Sequence, residues 1–162
     1  MSIYCEFEGI NGNVTAKGFE KQIAISSFNF TTERKVTMKA GTTANREIAT
    51  PKFSEVVLTK GFDVSTVGLF KESVASSAGK KVFLHFVRTG SSGLEEYMTY
   101  ELFDCLVSNL KIYADGGFAT DPREEISLSF SKLIMSYTHF DKSNSTSSPE
   151  RNGYDLTTAK PV

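Results

Sequence analysis

The sequence predicts a mainly β, single-domain fold of about eight strands with one short α-helix. Three observations lead there. Apolar and polar residues alternate with period two over most of the chain, the mark of half-buried strands. Turn-forming clusters separate the alternating runs, among them Asn11-Gly12-Asn13, Ser91-Ser92-Gly93 and Asp115-Gly116-Gly117. One stretch, from Ser65 to Ala78, breaks the period and sets its apolar residues at helical spacing. At 162 residues the chain has the size of one domain, residues 1–162. A chain of this length buries roughly 70% of its unfolded surface, so a core needs neither disulfide nor metal.

The first strand places Ile3, Cys5 and Phe7 on one face and Tyr4, Glu6 and Glu8 on the other. Ile23 and Ile25 alternate next, and Phe28 and Phe30 follow on the opposite parity, so a bulge is expected between the two pairs. Phe53, Glu55 and Val57 oppose Val56 and Leu58. In the helical stretch, Val67, Phe70, Val74 and Ala78 form the expected packing face, for a sheet edge or a barrel mouth. Ser65 is the expected N-cap and Gly79 the expected C′ residue, with Lys80 and Lys81 past the carbonyl end. Val82, Leu84 and Phe86 then oppose Phe83, His85 and Val87.

From Tyr97 to Val107 both faces are apolar, with Tyr97, Phe103 and Cys105 on one and Met98, Tyr100, Leu102 and Leu106 on the other. Such a run needs either a two-layer fold or cover from a neighbouring subunit. Leu110 and Ile112 extend it. Ile126, Leu128 and Phe130 alternate with Ser127, Ser129 and Ser131, and Leu133, Met135 and Tyr137 finish the pattern. Pro51, Pro122, Pro149 and Pro161 lie outside the apolar runs or at their start, as suits a residue that cannot donate to a ladder. Two segments stand apart from the core. Residues 31–50 are a long polar insertion rich in Thr, Ala and Lys/Arg, of a kind that is usually functional or disordered. Residues 141–162 form a Ser-rich exposed tail with a short docking segment around Tyr154.

Eighteen Lys+Arg against nineteen Asp+Glu give a net charge of -1, without the basic excess of a nucleic-acid binder. No apolar stretch approaches the ~20 residues needed to span a membrane, so no membrane insertion is expected. Met1 to Glu6 has neither a basic nor an apolar region of the Sec type, and no signal peptide is expected. Cys5 and Cys105 read as two thiols in apolar strands of a protein made in a reducing cytosol. His85 and His139 read as structural, and a zinc site built from them and the cysteines lacks short ligand spacings. No G-x-S-x-G elbow is present, and the stretch ending at Lys80 fails as a phosphate loop because Val74 and Lys81 occupy its Gly and Ser/Thr positions. Glu95-Glu96 and Glu124-Glu125 are adjacent on strands and point to opposite faces, so neither is a catalytic dyad. Neither catalysis nor a cofactor is expected.

Three segments resemble the haemolysin-coregulated protein (Hcp) family, the tube subunit of the bacterial type VI secretion system. Residues 58–69, LTKGFDVSTVGL, are similar to the family's strand-to-helix junction, in which Thr-Lys, an Asp three residues on, and Ser-Thr recur. Residues 100–109, YELFDCLVSN, are similar to its Leu-x-(Asp/Asn/His)-x-x-Val-Ser-Ser strand, and residues 125–132, EISLSFSK, followed by Tyr137, to its penultimate strand pair. Gly153-Tyr154-Asp155 resembles its aromatic tail motif, and Ile10 to Val14 its first Gly-rich turn.

The resemblance implies a two-sheet squashed β-barrel with one short helix. It implies a homohexameric ring, rings that stack into a hollow tube, and a tube expelled with its effectors when an outer sheath contracts. The implied partners are further copies of the chain, the contractile sheath, the spike protein and effectors. The implied location is the bacterial cytoplasm before firing, then the medium or a target cell, without a Sec signal. Residues 31–50 would reach the adjacent ring, opening with Thr31, Thr32 and Glu33 and offering Val36 and Met38 as apolar contacts and Arg34, Lys35, Lys39 and Arg46 as charged ones. Ser65, Phe70, Leu102, Leu106, Ser108 and Tyr154 would lie near subunit contacts, and Ser127, Ser129 and Ser131 would line the lumen. The alternative is a monomeric small-ligand-binding β-barrel with an apolar cavity. A third class, an enzyme, requires a pocket holding His85 or His139 beside a carboxylate.

Overall fold

The computed structural model describes residues 1–38, 40–41, 46–75, 77–90, 93–117, 121–140 and 147–162. The strands, in chain order, are β1 (Ser2–Phe7), β2 (Ile23–Ile25), β3 (Ser27–Asn29), β4 (Thr32–Glu33), β5 (Val36–Met38), β6 (Arg46–Ile48), β7 (Lys52–Phe53) and β8 (Val56–Gly61). The helix α1 (Ser65–Ala75) precedes β9 (Lys80–Gly90), β10 (Gly93–Tyr113), β11 (Arg123–Ser129), β12 (Lys132–Tyr137), β13 (Glu150–Asp155) and β14 (Lys160–Pro161). Two antiparallel layers result. One runs β2-β1-β9-β10-β12-β13-β14, and the other runs β10-β11-β8-β3. Together they make the squashed barrel that the resemblance implies.

β10 belongs to both layers. Its first part pairs with β9 and β12, and from Leu106 onward it pairs with β11. The change of partner falls on Asp104, whose φ of 52° lies in the left-handed region, and the ladder shifts register between Leu102 and Cys105. Ser131 Oγ donates to Asp104 Oδ2 at 2.6 Å, and Ser131 N–H donates to Phe103 O at 3.0 Å, which fixes the corner. Gly79 packs against it so closely that a Cβ there would lie 2.5 Å from Asp104 Cα. The expectation that Gly79 ends the helix is thus corrected, because α1 stops at Ala75 and the glycine serves this close approach.

The opposite corner is the run from β2 to β3. Ile23 and Ile25 face the first layer's core, Phe28 faces in from the second, and the chain crosses at Ser26, whose N–H donates to Thr59 O at 2.7 Å. The expected parity change between the two pairs is therefore a change of sheet. Neither corner is an uninterrupted hydrogen-bonded ladder; a continuous chain segment carries each crossing.

Inside, Val56, Leu58, Val82, Leu84, Leu102, Ile126 and Leu128 are buried, in one contiguous core with Cys5 and Cys105. Phe28, Phe86 and Tyr100 stack at its margin, with ring centroids 4.8 to 5.6 Å apart. The double apolar face of residues 97–107 is explained by the corner. The bulge at Asp104 turns both Leu102 and Cys105 inward, while Phe103, on the outer face, is covered by Lys132 and Lys81 ammonium groups 4.0 and 4.9 Å from its centroid.

The helix reverses the expected orientation. Its buried residues are Ser65 and Leu69, and Gly68 lies against Ile10, where an added Cβ would come within 3.2 Å of that side chain. Val67, Phe70 and Val74 face outward, 76%, 54% and 67% exposed. Small residues let the Ser65-Gly68-Leu69 side approach the barrel, and the more apolar side faces outward. The cap also moves. Asp63 Oδ1 accepts the Ser65 N–H at 2.9 Å and Thr66 Oγ1 accepts the Asp63 N–H at 3.2 Å, so Asp63 rather than Ser65 caps the helix in a reciprocal box.

Both cysteines are free and buried. Burial, with the Asp104 charge adding, pushes the Cys105 thiol up to about 12, and burial pushes the Cys5 thiol up as well. Below about pH 8.5 the folded and unfolded chains both hold these protons. Above it the unfolded chain releases protons that the folded chain keeps, so stability falls as pH rises towards the folded values, by up to about 1.4 kcal/mol per thiol per pH unit. Urea midpoints at pH 7.5 and 10 should show this loss, and a Cys5→Ala/Cys105→Ala chain should show less of it. Equal slopes in the two chains would refute the assignment.

Candidate assembly surfaces

The polar insertion folds as a ribbon. Thr32 and Glu33 pair with Phe53 and Lys52, and Val36, Thr37 and Met38 pair with Ile48, Glu47 and Arg46. The register slips between the two pieces, at Arg34 and Lys35 opposite Ala49 to Pro51. There Arg34 Nε donates to Ala49 O at 3.1 Å and Lys35 O accepts the Ala49 N–H at 3.0 Å. Thr31 N–H donates to Ser54 Oγ at 2.9 Å at the ribbon's base. Val36 is half exposed, and Thr31 through Lys35 are all exposed. Lys39 lies outside the described residues, and of Met38 and Arg46 only the backbone pairing is described. Tyr154 stacks on Phe53 with centroids 4.9 Å apart, which docks the tail strand beside the ribbon's root.

The expected subunit-contact residues divide. Phe70 belongs to an exposed apolar stripe with Val67 and Val74 on α1 and Val64 just before it. Leu106 and Ser108 are exposed on the outer side of the second layer. Ser65 and Leu102 are corrected, because each is 0% exposed in its own chain and presents no surface to a neighbour. Ser65 is buried beneath the helix start, and Leu102 faces the core between Val82 and Leu133.

The expected lumen serines divide too. Ser127 and Ser129 share the outward parity of β11, Ser129 exposed and Ser127 buried beneath its neighbours, its carbonyl accepting Ser108 Oγ at 3.1 Å. Ser27 and Thr59 hydroxyls bond each other on the adjoining strands of the same face. Ser131 instead ties the Asp104 corner. The structure thus joins Ser27, Thr59, Ser108, Ser127 and Ser129 on one hydroxyl-rich sheet face, with Lys111 and Glu125 as cross-strand partners within it.

His85 sits on the outer face of the first layer, Nδ1 2.5 Å from Glu96 Oε2 and Nε2 3.8 Å from Glu6 Oε2, packed by Phe19 and Phe83. His139 is exposed. Among the described residues no three His, Cys, Asp or Glu side chains gather as a metal site, so the two cysteines and two histidines do not form one. A groove of about 540 Å³ lies outside the core, between Tyr4, residues 13–16, Ala24 and residues 61–63. Another, of about 340 Å³, lies where Arg34 and Thr50 meet Tyr154 and Pro161.

Sequence reasoning missed one constellation, the ion pair of Lys60 and Glu124, both side chains fully buried. Its signal was present. Lys60 continues the inward parity of Val56 and Leu58, and Glu124 that of Ile126 and Leu128, so two core stripes end on opposite charges.

The chain is similar to a structure described as that of a type six secretion system protein, at 19% identity over 99% of each chain with a TM-score of 0.91. It is also similar to Hcp1 from Salmonella typhimurium, at 20% identity over 99% of this chain and 98% of that one, TM-score 0.77. A type VI secretion system effector from Yersinia pestis matches at 20% identity, 94% and 98% coverage and a TM-score of 0.70. No curated protein matches the chain in sequence. The family model described as type VI secretion system effector, Hcp, matches residues 4–137. The chain belongs to the type VI secretion system Hcp family.

Proposed function

We propose that the chain is a wall segment of a type VI secretion tube, six copies closing into a ring and rings stacking into a hollow conduit that carries effectors. The observation that carries this reading is the unpartnered apolar stripe of Val64, Val67, Phe70 and Val74 on a chain whose core is already complete. A second copy docking head to tail covers such a stripe, and a head-to-tail contact that closes gives a ring. The ribbon of β4 to β7 offers Val36, Arg34 and Lys35 to a neighbouring ring, and the hydroxyl-rich face of β11 and β8 suits a lumen that passes cargo without holding it. The sheath, the spike protein and effectors are the partners on this reading. The chain resides in the cytoplasm until it is expelled, and it performs no catalysis.

Size-exclusion chromatography with light scattering tests the reading directly. The expected result is a hexamer with a ring outline in negative stain. A monomer at micromolar concentration would count against it and favour the ligand-binding barrel. Deleting Thr37–Asn45 should leave single rings intact and weaken their stacking, read as shorter assemblies in the same images. Loss of the rings themselves would mean that the ribbon acts within a ring rather than between rings.

A further inference from the structure

At the helix end the barrel interior closes on charge. Lys60 Nζ lies 2.8 Å from Glu124 Oε2 and 2.9 Å from Asp63 Oδ1, with Thr66 Oγ1 at 3.4 Å. The Lys60 and Glu124 side chains are 0% exposed and the Asp63 side chain 12%. Among the described atoms, Glu124 Oε1 has no partner. The three partners of the ammonium come from three places: β11, the turn before the helix, and the first turn of α1. Asp63 and Thr66 are also the reciprocal caps of the helix, and the Ser65 hydroxyl bonds Asp63 Oδ1. One buried ammonium therefore ties the helix cap to the second layer of the barrel.

Apolar residues could fill this site at little or no cost in stability, since buried ion pairs often exchange for hydrophobic isosteres without net loss. They could not supply direction. Leu69 is the one large side chain that α1 buries, and a single apolar anchor leaves rotation about the helix axis weakly fixed. We infer that Lys60, Asp63 and Glu124 are positioning residues that set the rotation of α1 and so aim the Val64, Val67, Phe70 and Val74 stripe. The consequence for assembly rests on the function proposed above; the positioning itself does not.

The test is a Lys60→Met chain beside a Lys60→Met/Glu124→Leu chain. The single variant leaves a buried carboxylate without its cation and should unfold at a markedly lower temperature. The double variant should recover the parent's thermal midpoint. Its α1 amides should nonetheless exchange about tenfold faster than the parent's, and its ring fraction should fall. A purely structural pair would restore all three readouts together, and that result overturns the inference. If the double variant does not fold, Asp63→Asn keeps the cap's shape and removes its charge. Faster α1 exchange at an unchanged midpoint supports the inference, and unchanged exchange overturns it. A parent chain that is monomeric under these conditions removes the assembly reading, while the exchange measurement still decides the positioning.

Discussion

If the chain closes into rings as proposed, replacing Phe70 with aspartate should yield a folded chain that no longer forms them. Phe70 is 54% exposed and contributes little to its own fold, so the isolated chain should lose no more than about 0.5 kcal/mol, as at other surface positions. On the ring proposed above, the same position would face a neighbour in a desolvated contact. An unpaired carboxylate there costs several kcal/mol at each interface, and every subunit in a closed ring carries that cost on both of its contacts. Phe70→Leu, which keeps the position apolar, is the control and should retain assembly. Light scattering at matched concentration reads both. Rings of Phe70→Asp at the parent's fraction would remove the helix stripe from the assembly surface.

The second large effect concerns the fold. Leu102→Ala should cost about 2–5 kcal/mol, out of a total stability on the order of 5–15 kcal/mol. The residue is 0% exposed and sits between Val82 of β9 and Leu133 of β12, two positions before Asp104, at which β10 changes sheets. Its neighbours are held by ladders on both sides and cannot close over a cavity. A midpoint lowered by roughly 4–20 °C follows for a chain of this size, in monomer and ring alike. A loss of assembly with no loss of thermal stability would restore Leu102 to the subunit contact that the sequence suggested.

Period-two reading located β1, β9 and β11 and their inward faces, because each of these strands keeps one partner layer throughout; it located β12 but not its face, since Leu133 and Ile134 are both buried while Met135 and Tyr137 are exposed. It could not read β10 in the same way. Asp104 takes the left-handed conformation and resets the parity, so residues that alternate in sequence as Leu102 and Phe103 do are followed by an inward Cys105 out of step. The jump from Ile25 to Phe28 was legible as a break, though not as a change of sheet. In the helix hydrophobicity alone points the larger apolar set inward. Contact distance decided otherwise, since Ser65 and Gly68 permit the approach that Val67 and Phe70 would block. The insertion's strand pairing was hidden by its polarity, because a projecting ribbon has no buried face to leave a pattern. Lys60 and Glu124 were hidden for the opposite reason, as charges are expected outside and only their shared inward parity points to the interior.

The two corners have a mechanical consequence. Layers held only by side-chain packing separate when pulled apart, because each contact fails in turn. Here β10 runs through one corner and the β2–β3 segment through the other, so a load that pries the layers apart is borne by peptide backbone at both ends of the cross-section. Prying the barrel open then requires shearing whole ladders, in which many hydrogen bonds must break at once.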